Sequence, residues 1–291
     1  MRAWIYLLLC NLLWAGNYMS GKFAIQEFSP LWITFLRWVI AVAILLPIAA
    51  YWEKPAWRSF SRTTWLRLAG MGLCGVVAFN LLIYSALKYT SPLNGALVSA
   101  LTPAMAMTLT AVALRERITR LQLAGLFTAL LGVSITLTQG RLDQLLTMTY
   151  NHGDLLMLAA DFSWVLYTVL GKHLGNVPPI TATALSSAFG LLIMLPAALL
   201  APLNTAGISA TGIASIVYIA LGASVLAFTF WNMAVRALGI NKASLSINLI
   251  PIYTALLTLL AGQPFYASQG IGGLLVISGL LIIARQTKRP A

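Results

Sequence analysis

The sequence predicts an all-α polytopic membrane protein, with ten transmembrane helices arranged as two inverted-topology five-helix repeats. Three observations lead there. The first is composition: of 291 residues, 60% are hydrophobic and only 8% charged, with mean hydropathy +0.88. A soluble surface of this size cannot stay hydrated with so few charges. The second is a series of ten apolar runs, each near the ~20 residues that cross a bilayer as a helix. The third is that the last five runs echo the first five.

The runs cover about 4–25, 30–51, 66–88, 92–113 and 120–138, then 154–172, 179–200, 212–236, 241–261 and 268–284. The first begins like a signal peptide, with Met1-Arg2 before apolar residues. It continues past Asn11 to Ile25 without a small-residue cleavage pattern, so it reads as a retained helix. Pro30, Pro92 and Pro179 open the second, fourth and seventh runs, where a helix does not miss the absent N–H. Between the second and third runs, Lys54, Arg58 and Arg62 interleave at helical spacing with Trp57 and Phe60, a pattern that lies along headgroups. Pro103 and Pro251 fall at the centres of the fourth and ninth runs and are expected to break backbone hydrogen bonds there, as a matched pair of hinges. Nothing alternates with period two, which excludes a β-barrel.

The echo is specific. Trp14 and Lys22 recur as Trp164 and Lys172 at an offset of 150, and Pro30 and Pro47 as Pro179 and Pro196 at 149. Lys88 maps to Arg236 and Pro103 to Pro251 at 148; Gln122, Gly125 and Gly132 map to Gln269, Gly272 and Gly279 at 147. The drift is that of a duplicated unit with small gaps. Five helices are an odd number, so the second unit must enter the bilayer upside down, the architecture of alternating-access carriers. The expected domains are a first repeat at 1–140, a periplasmic connector at 141–153 and a second, inverted repeat at 154–291. Fourteen Lys and Arg fall on the side that holds both termini and three (Lys22, Lys88 and Arg141) on the other, which puts both termini in the cytoplasm.

Several function classes drop out. The net charge of +12 is spread between apolar runs as membrane-flanking anchors, not clustered as a nucleic-acid footprint. Cys10 and Cys74 lie within apolar runs and make no disulfide framework. Gly16-x4-Gly21-Lys22 resembles a phosphate loop, but Phe23 stands where Ser or Thr is required and no strand precedes it, so ATP hydrolysis is not expected. His152 and His173 fall in loops on opposite sides, and no carboxylate pair shares a helix face at mid-depth. Neither catalysis, a metal site nor a cofactor is expected.

What remains are polar and aromatic groups deep in apolar runs. Trp14, Tyr18, Asn80, Tyr84, Trp164, Tyr167, Trp231 and Asn232 lie well inside the first, third, sixth and eighth, whereas Trp4, Trp52, Trp57 and Trp65 form an interfacial belt. Stacking faces beside amide donors suit a small zwitterion with an apolar or aromatic side chain. Asp161 is the one acid deep in a span: it binds a substrate ammonium, carries a coupling proton, or serves as a structural hydrogen-bonding partner. Arg37, nearer a helix end, reads as structural or snorkelling.

The Trp14–Lys22 segment, Arg37, the Lys88–Pro92 turn, the run from Leu97 to Pro103, and Leu114 to Ile118 with Glu116 resemble the drug/metabolite transporter superfamily, in its ten-helix EamA-type exporters. The resemblance covers essentially the whole chain and is greatest to the bacterial aromatic amino-acid exporters. The second half departs where Gln263 follows Gly262 in place of Glu, and where no Arg matches Arg37. The resemblance implies efflux of aromatic and other neutral amino acids across a bacterial inner membrane. The first, third, fourth, sixth, eighth and ninth helices are then expected to line the cavity. Trp14, Tyr84 and Trp164 would stack on the solute, and Asn80, Asn94, Asn232, Ser244 and Asn248 would meet its polar groups. The expected partners are an amino-acid substrate and the lipid bilayer, with no nucleic acid, and a monomer is compatible with the sequence. An exporter of drugs or lipophilic cations fits the same fold, with Asp161 as counter-charge. A nucleotide-sugar or cofactor carrier needs several basic groups in the cavity, and only Lys22, Lys88, Lys172 and Arg236, at helix ends, are available. A membrane enzyme lacks a catalytic set.

Overall fold

A computed structural model of the chain describes residues 2–89, 98–113, 115, 117–143, 151–203, 207–260 and 266–284. Among the described residues every regular element is helical. In chain order they are α1 (Arg2–Glu27), α2 (Pro30–Ile48), α3 (Arg62–Met71), α4 (Phe79–Ala86), α5 (Thr102–Ala113), α6 (Arg120–Leu137), α7 (His152–Lys172), α8 (Pro179–Leu200), α9 (Ala210–Tyr218), α10 (Ala227–Leu238), α11 (Ile240–Leu245), α12 (Leu249–Leu260) and α13 (Ala267–Ala284). Among the described residues five stretches are long and apolar enough to cross a membrane: Pro30–Glu53, Arg62–Ala86, His152–Lys172, Pro179–Leu200 and Ala210–Leu238. Thr102–Ala113, Arg120–Thr136 and Ala267–Ile282 are apolar but shorter. Large apolar side chains such as Phe127, Leu192, Leu199 and Leu274 stand exposed, as a lipid-facing surface requires. This is the construction of a polytopic membrane protein. Most of the connector at 141–153 lies outside the described residues.

Helix starts follow local chemistry. Ser29 caps α2 by accepting from the Trp32 amide, with Pro30 at the first helical position. Thr119 with Gln122, and Asn151 with Asp154, form capping boxes on α6 and α7. Pro179 opens α8, where the Glu53 carboxylate accepts from the Ile180 amide at 3.0 Å and the Thr181 amide at 2.7 Å. That places an anion on the helix's positive end.

Two spans are π-helical at mid-length: Gly72–Ala78 joins α3 to α4, and Ile219–Leu226 joins α9 to α10. The extra residue in each turn redirects the side chains that follow. The prolines behave differently from expectation. Pro103 is the second residue of α5, after a turn at 100–101, and Pro251 is the third of α12, after the 3₁₀ turn Ser246–Asn248. Pro103 thus sits in a tolerated first turn, whereas Pro251 lies in a helical run from Ile240 to Leu260 that tightens to 3₁₀ just upstream of it. In both places the regular α-helical bonding changes just before the proline, which eases the clash with the carbonyl four residues back.

Packing pairs α1 with α9 and α10, and α7 with α3 and α4; the offset of about 150 residues turns one set into the other. α2 lies on α8, and α6 on α13. The last contact is backbone to backbone. A Cβ on Gly132 would stand 2.5 Å from the Gly272 carbonyl oxygen, and one on Gly279 would stand 2.6 Å from that of Gly125. Small residues that let helices touch in this way are how apolar spans associate without a hydrophobic drive.

Candidate functional site

Trp164, midway along α7, is the hub of an aromatic cluster. Its ring meets Trp14 edge-on at 5.0 Å, Phe79 at 5.0 Å, Phe228 at 5.0 Å and Trp231 at 5.4 Å, and stacks on Tyr167 at 4.9 Å. Trp14 reaches it because α1 packs on the second π-helical segment, where its indole N–H donates to the Ala223 carbonyl at 3.3 Å. The Trp164 indole N–H is buried and has no acceptor among the described residues. Beside this cluster is a cavity lined by Trp14, Asn17, Tyr18, Arg37, Phe79, Ile83, Ser99, Thr102, Asp161, Trp164, Phe228, Ile247 and Ile250. Its free volume is about 30 Å³, room for a water or two and too little for an amino acid. The rings must part before a solute of that size fits.

Asp161 lies one helical turn before Trp164 and is 4% exposed. Its Oδ1 accepts from the Ser99 hydroxyl at 3.2 Å. With that hydrogen spent, the Tyr18 hydroxyl donates to Ser99 at 3.2 Å, giving a one-way chain from Tyr18 to the carboxylate. Among the described residues Oδ2 accepts no hydrogen bond, although the Thr102 hydroxyl is close by.

Arg37 does not snorkel. It is 2% exposed and lines the cavity. Nε donates to Ser224 Oγ at 2.7 Å; Nη1 donates to Asn80 Oδ1 at 2.7 Å and Tyr84 Oη at 2.6 Å, with Asn17 Oδ1 at 3.5 Å. Both π-helical segments serve this network. Asn80 Nδ2 donates to the carbonyls of Gly75 and Val76 in the first, and Ser224 Oγ donates to that of Ile219 in the second. Neither Arg37 nor Asp161 is ion-paired with a described residue, and the two share one cavity.

The structure therefore brings Trp14, Tyr18, Asp161 and Trp164 to the cavity wall. It places Asn80 and Tyr84 in contact with Arg37, both fully buried and away from the lining. Tyr167 is also fully buried; its hydroxyl accepts from Asn232, which donates to Thr183 as well. Asn232, Lys172 and Arg236 line a separate cavity of about 270 Å³. Ser244 is buried on α11, away from the lining, and Asn248 is fully buried with both amide atoms unpartnered among the described residues. Asn11 donates to Ser246 at 2.9 Å. Asn94 lies outside the described residues. Arg37, Asn17, Ser99 and Thr102 are the polar lining groups that sequence reasoning did not select. The one signal available for Asn17 was an amide inside an apolar run.

A family model described as the EamA-like transporter family matches residues 1–138 and 151–285. The chain is 30% identical over 284 residues to the uncharacterized transporter YyaM of Bacillus subtilis (strain 168), covering 97% of this chain and 93% of that one. It is 27% identical to a probable amino-acid metabolite efflux pump of Salmonella typhimurium, covering 94% and 92%. It is 26% identical to a probable terminal-alkyne amino-acid exporter of Streptantibioticus cattleyicolor, covering 97% and 93%. A solved crystal structure superposes with TM-score 0.75 at 22% identity, over 96% of this chain and 95% of that one; at that identity the likeness concerns the fold.

Proposed function

This chain belongs to the EamA-like transporter family, whose members are transporters and not enzymes, and we propose that it exports aromatic and other neutral amino acids. The observation that carries this reading is the pairing of a carboxylate oxygen on Asp161, unpartnered among the described residues, with walls of tryptophan and phenylalanine in one cavity. An ammonium group suits the first and an apolar side chain the second. Two distant relatives with amino-acid efflux in their descriptions support the same substrate class.

The mechanism is alternating access, with no ATP hydrolysis. Two five-helix repeats of opposite topology, 1–140 and 154–291, rock about a cavity at their junction in the bacterial inner membrane, both termini in the cytoplasm. The exchange of packing partners between α1 and α7 supports the duplication, and the excess of basic residues on one side supports the orientation. The turn before Pro103 and the 3₁₀ segment before Pro251 are the natural hinges. The narrow cavity is that of a closed state, in which Trp14 and Trp164 occupy each other's space.

Export of lipophilic cations is the second reading, since Asp161 would also serve a drug's positive charge. Exchange in proteoliposomes against a panel of labelled amino acids and cationic dyes decides between them. The expected result is saturable exchange of phenylalanine and tryptophan, cut about tenfold or more by Trp14→Ala or Trp164→Ala in protein that remains monodisperse. Dye transport with no amino-acid exchange would replace the first reading with the second.

A further inference from the structure

We propose that Arg37, with Asn17, is the carboxylate-recognising half of the site, so that the cargo must be a zwitterion and not merely an amine. The inference rests on the amino-acid reading above and narrows it.

Arginine stays charged under all conditions a protein meets. Burying it without a counter-anion is costly, and such groups persist inside membranes where they serve a ligand or a pathway. Arg37 is buried and ion-paired with no described residue; its partners are four neutral oxygens, on Ser224, Asn80, Tyr84 and Asn17. Those contacts use Nε and Nη1 only. Nη2 hydrogen-bonds no described residue, although the side chain lines the cavity.

Asn17 adds a second donor. Its Oδ1 accepts from Tyr84 Oη at 2.9 Å and faces Arg37 Nη1, which fixes which end of the amide is which. Nδ2 is then the unspent end, again on a residue that lines the cavity. Two adjacent N–H donors, one on a cation, match a carboxylate in number and charge. The π-helical segments matter here because they supply Ser224 and the carbonyls that orient Asn80, holding the guanidinium in place before cargo arrives.

The test uses wild-type protein in proteoliposomes loaded for exchange of labelled phenylalanine, with three competitors: phenylalanine, phenylalaninamide and phenethylamine. The last two keep the ring and the amine but lack the carboxylate. We expect both to compete about tenfold or more less well than phenylalanine. In Arg37→Gln the gap should close, because phenylalanine weakens and phenethylamine does not. Equal competition by phenethylamine in the wild type would overturn the assignment and leave amino-acid export standing. If no amino acid exchanges while tetraphenylphosphonium does, the export reading fails and this inference falls with it. Because the competitor comparison needs no variant, a misfolded Arg37→Gln does not blunt it.

Discussion

At the scale of single residues, the polar atoms divide into those spent on neighbours and those left over. Asn80, Tyr84, Tyr167 and Asn232 are spent: each is tied to a protein partner by a hydrogen bond of 2.6–2.7 Å. Among the described residues Asp161 Oδ2 and the Trp164 indole N–H are left over. Helical spacing in one sequence brought Trp14 with Tyr18, and Asp161 with Trp164, into view together. It carried no sign of Arg37's partners, which lie 43 residues away at Asn80 and 187 away at Ser224. A spent charge sits at the far end of α1. There Glu27 accepts from the Ser209 amide at 2.9 Å and its hydroxyl at 2.6 Å, and these bonds hold its carboxyl below the usual range. A carboxyl lowered on folding stabilises the native state above its unfolded value and loses that contribution as pH falls through the folded one. Wild-type protein in detergent should thus lose more thermal stability than Glu27→Gln between about pH 6 and pH 3. Parallel curves would show that the contact does not survive in solution.

At the scale of elements, sequence periodicity located the helices but not their irregularities. Apolar runs at about 66–88 and 212–236 appear as the continuous spans Arg62–Ala86 and Ala210–Leu238. Their π-helical turns have no signature in residue type, because they arise where packing on α2 and α8 rewards one extra residue per turn. Nor could the sequence separate a proline kink from a helix broken before proline, since both place the same residue at mid-span. The glycines of α6 and α13 were legible as a repeat, and the structure supplies their reason: backbone meets backbone. Gly132→Ala puts a methyl 2.5 Å from the Gly272 carbonyl oxygen, so it should destabilise the protein by about 1–3 kcal/mol. Thermal unfolding in detergent measures this, and an unchanged midpoint would mean that α6 and α13 are free to separate.

At the scale of the whole molecule, composition alone settled membrane residence, and duplication suggested two halves of opposite topology. Which side each loop occupies is a separate matter, decided by charge asymmetry during insertion and absent from helix packing. Single cysteines introduced near the two ends should both react with a membrane-impermeant maleimide only from the cytoplasmic face; labelling of one end from each face would defeat the antiparallel arrangement. On the proposed function, one cavity, with a buried acid and aromatic rings on its wall, takes hold of the amino acid. The most direct measurement is equilibrium binding of labelled phenylalanine to purified wild-type protein and to Asp161→Asn. Saturable binding by the wild type, weakened about tenfold or more in the variant while both remain folded, is the predicted result. Equal affinity in the two proteins would contradict it.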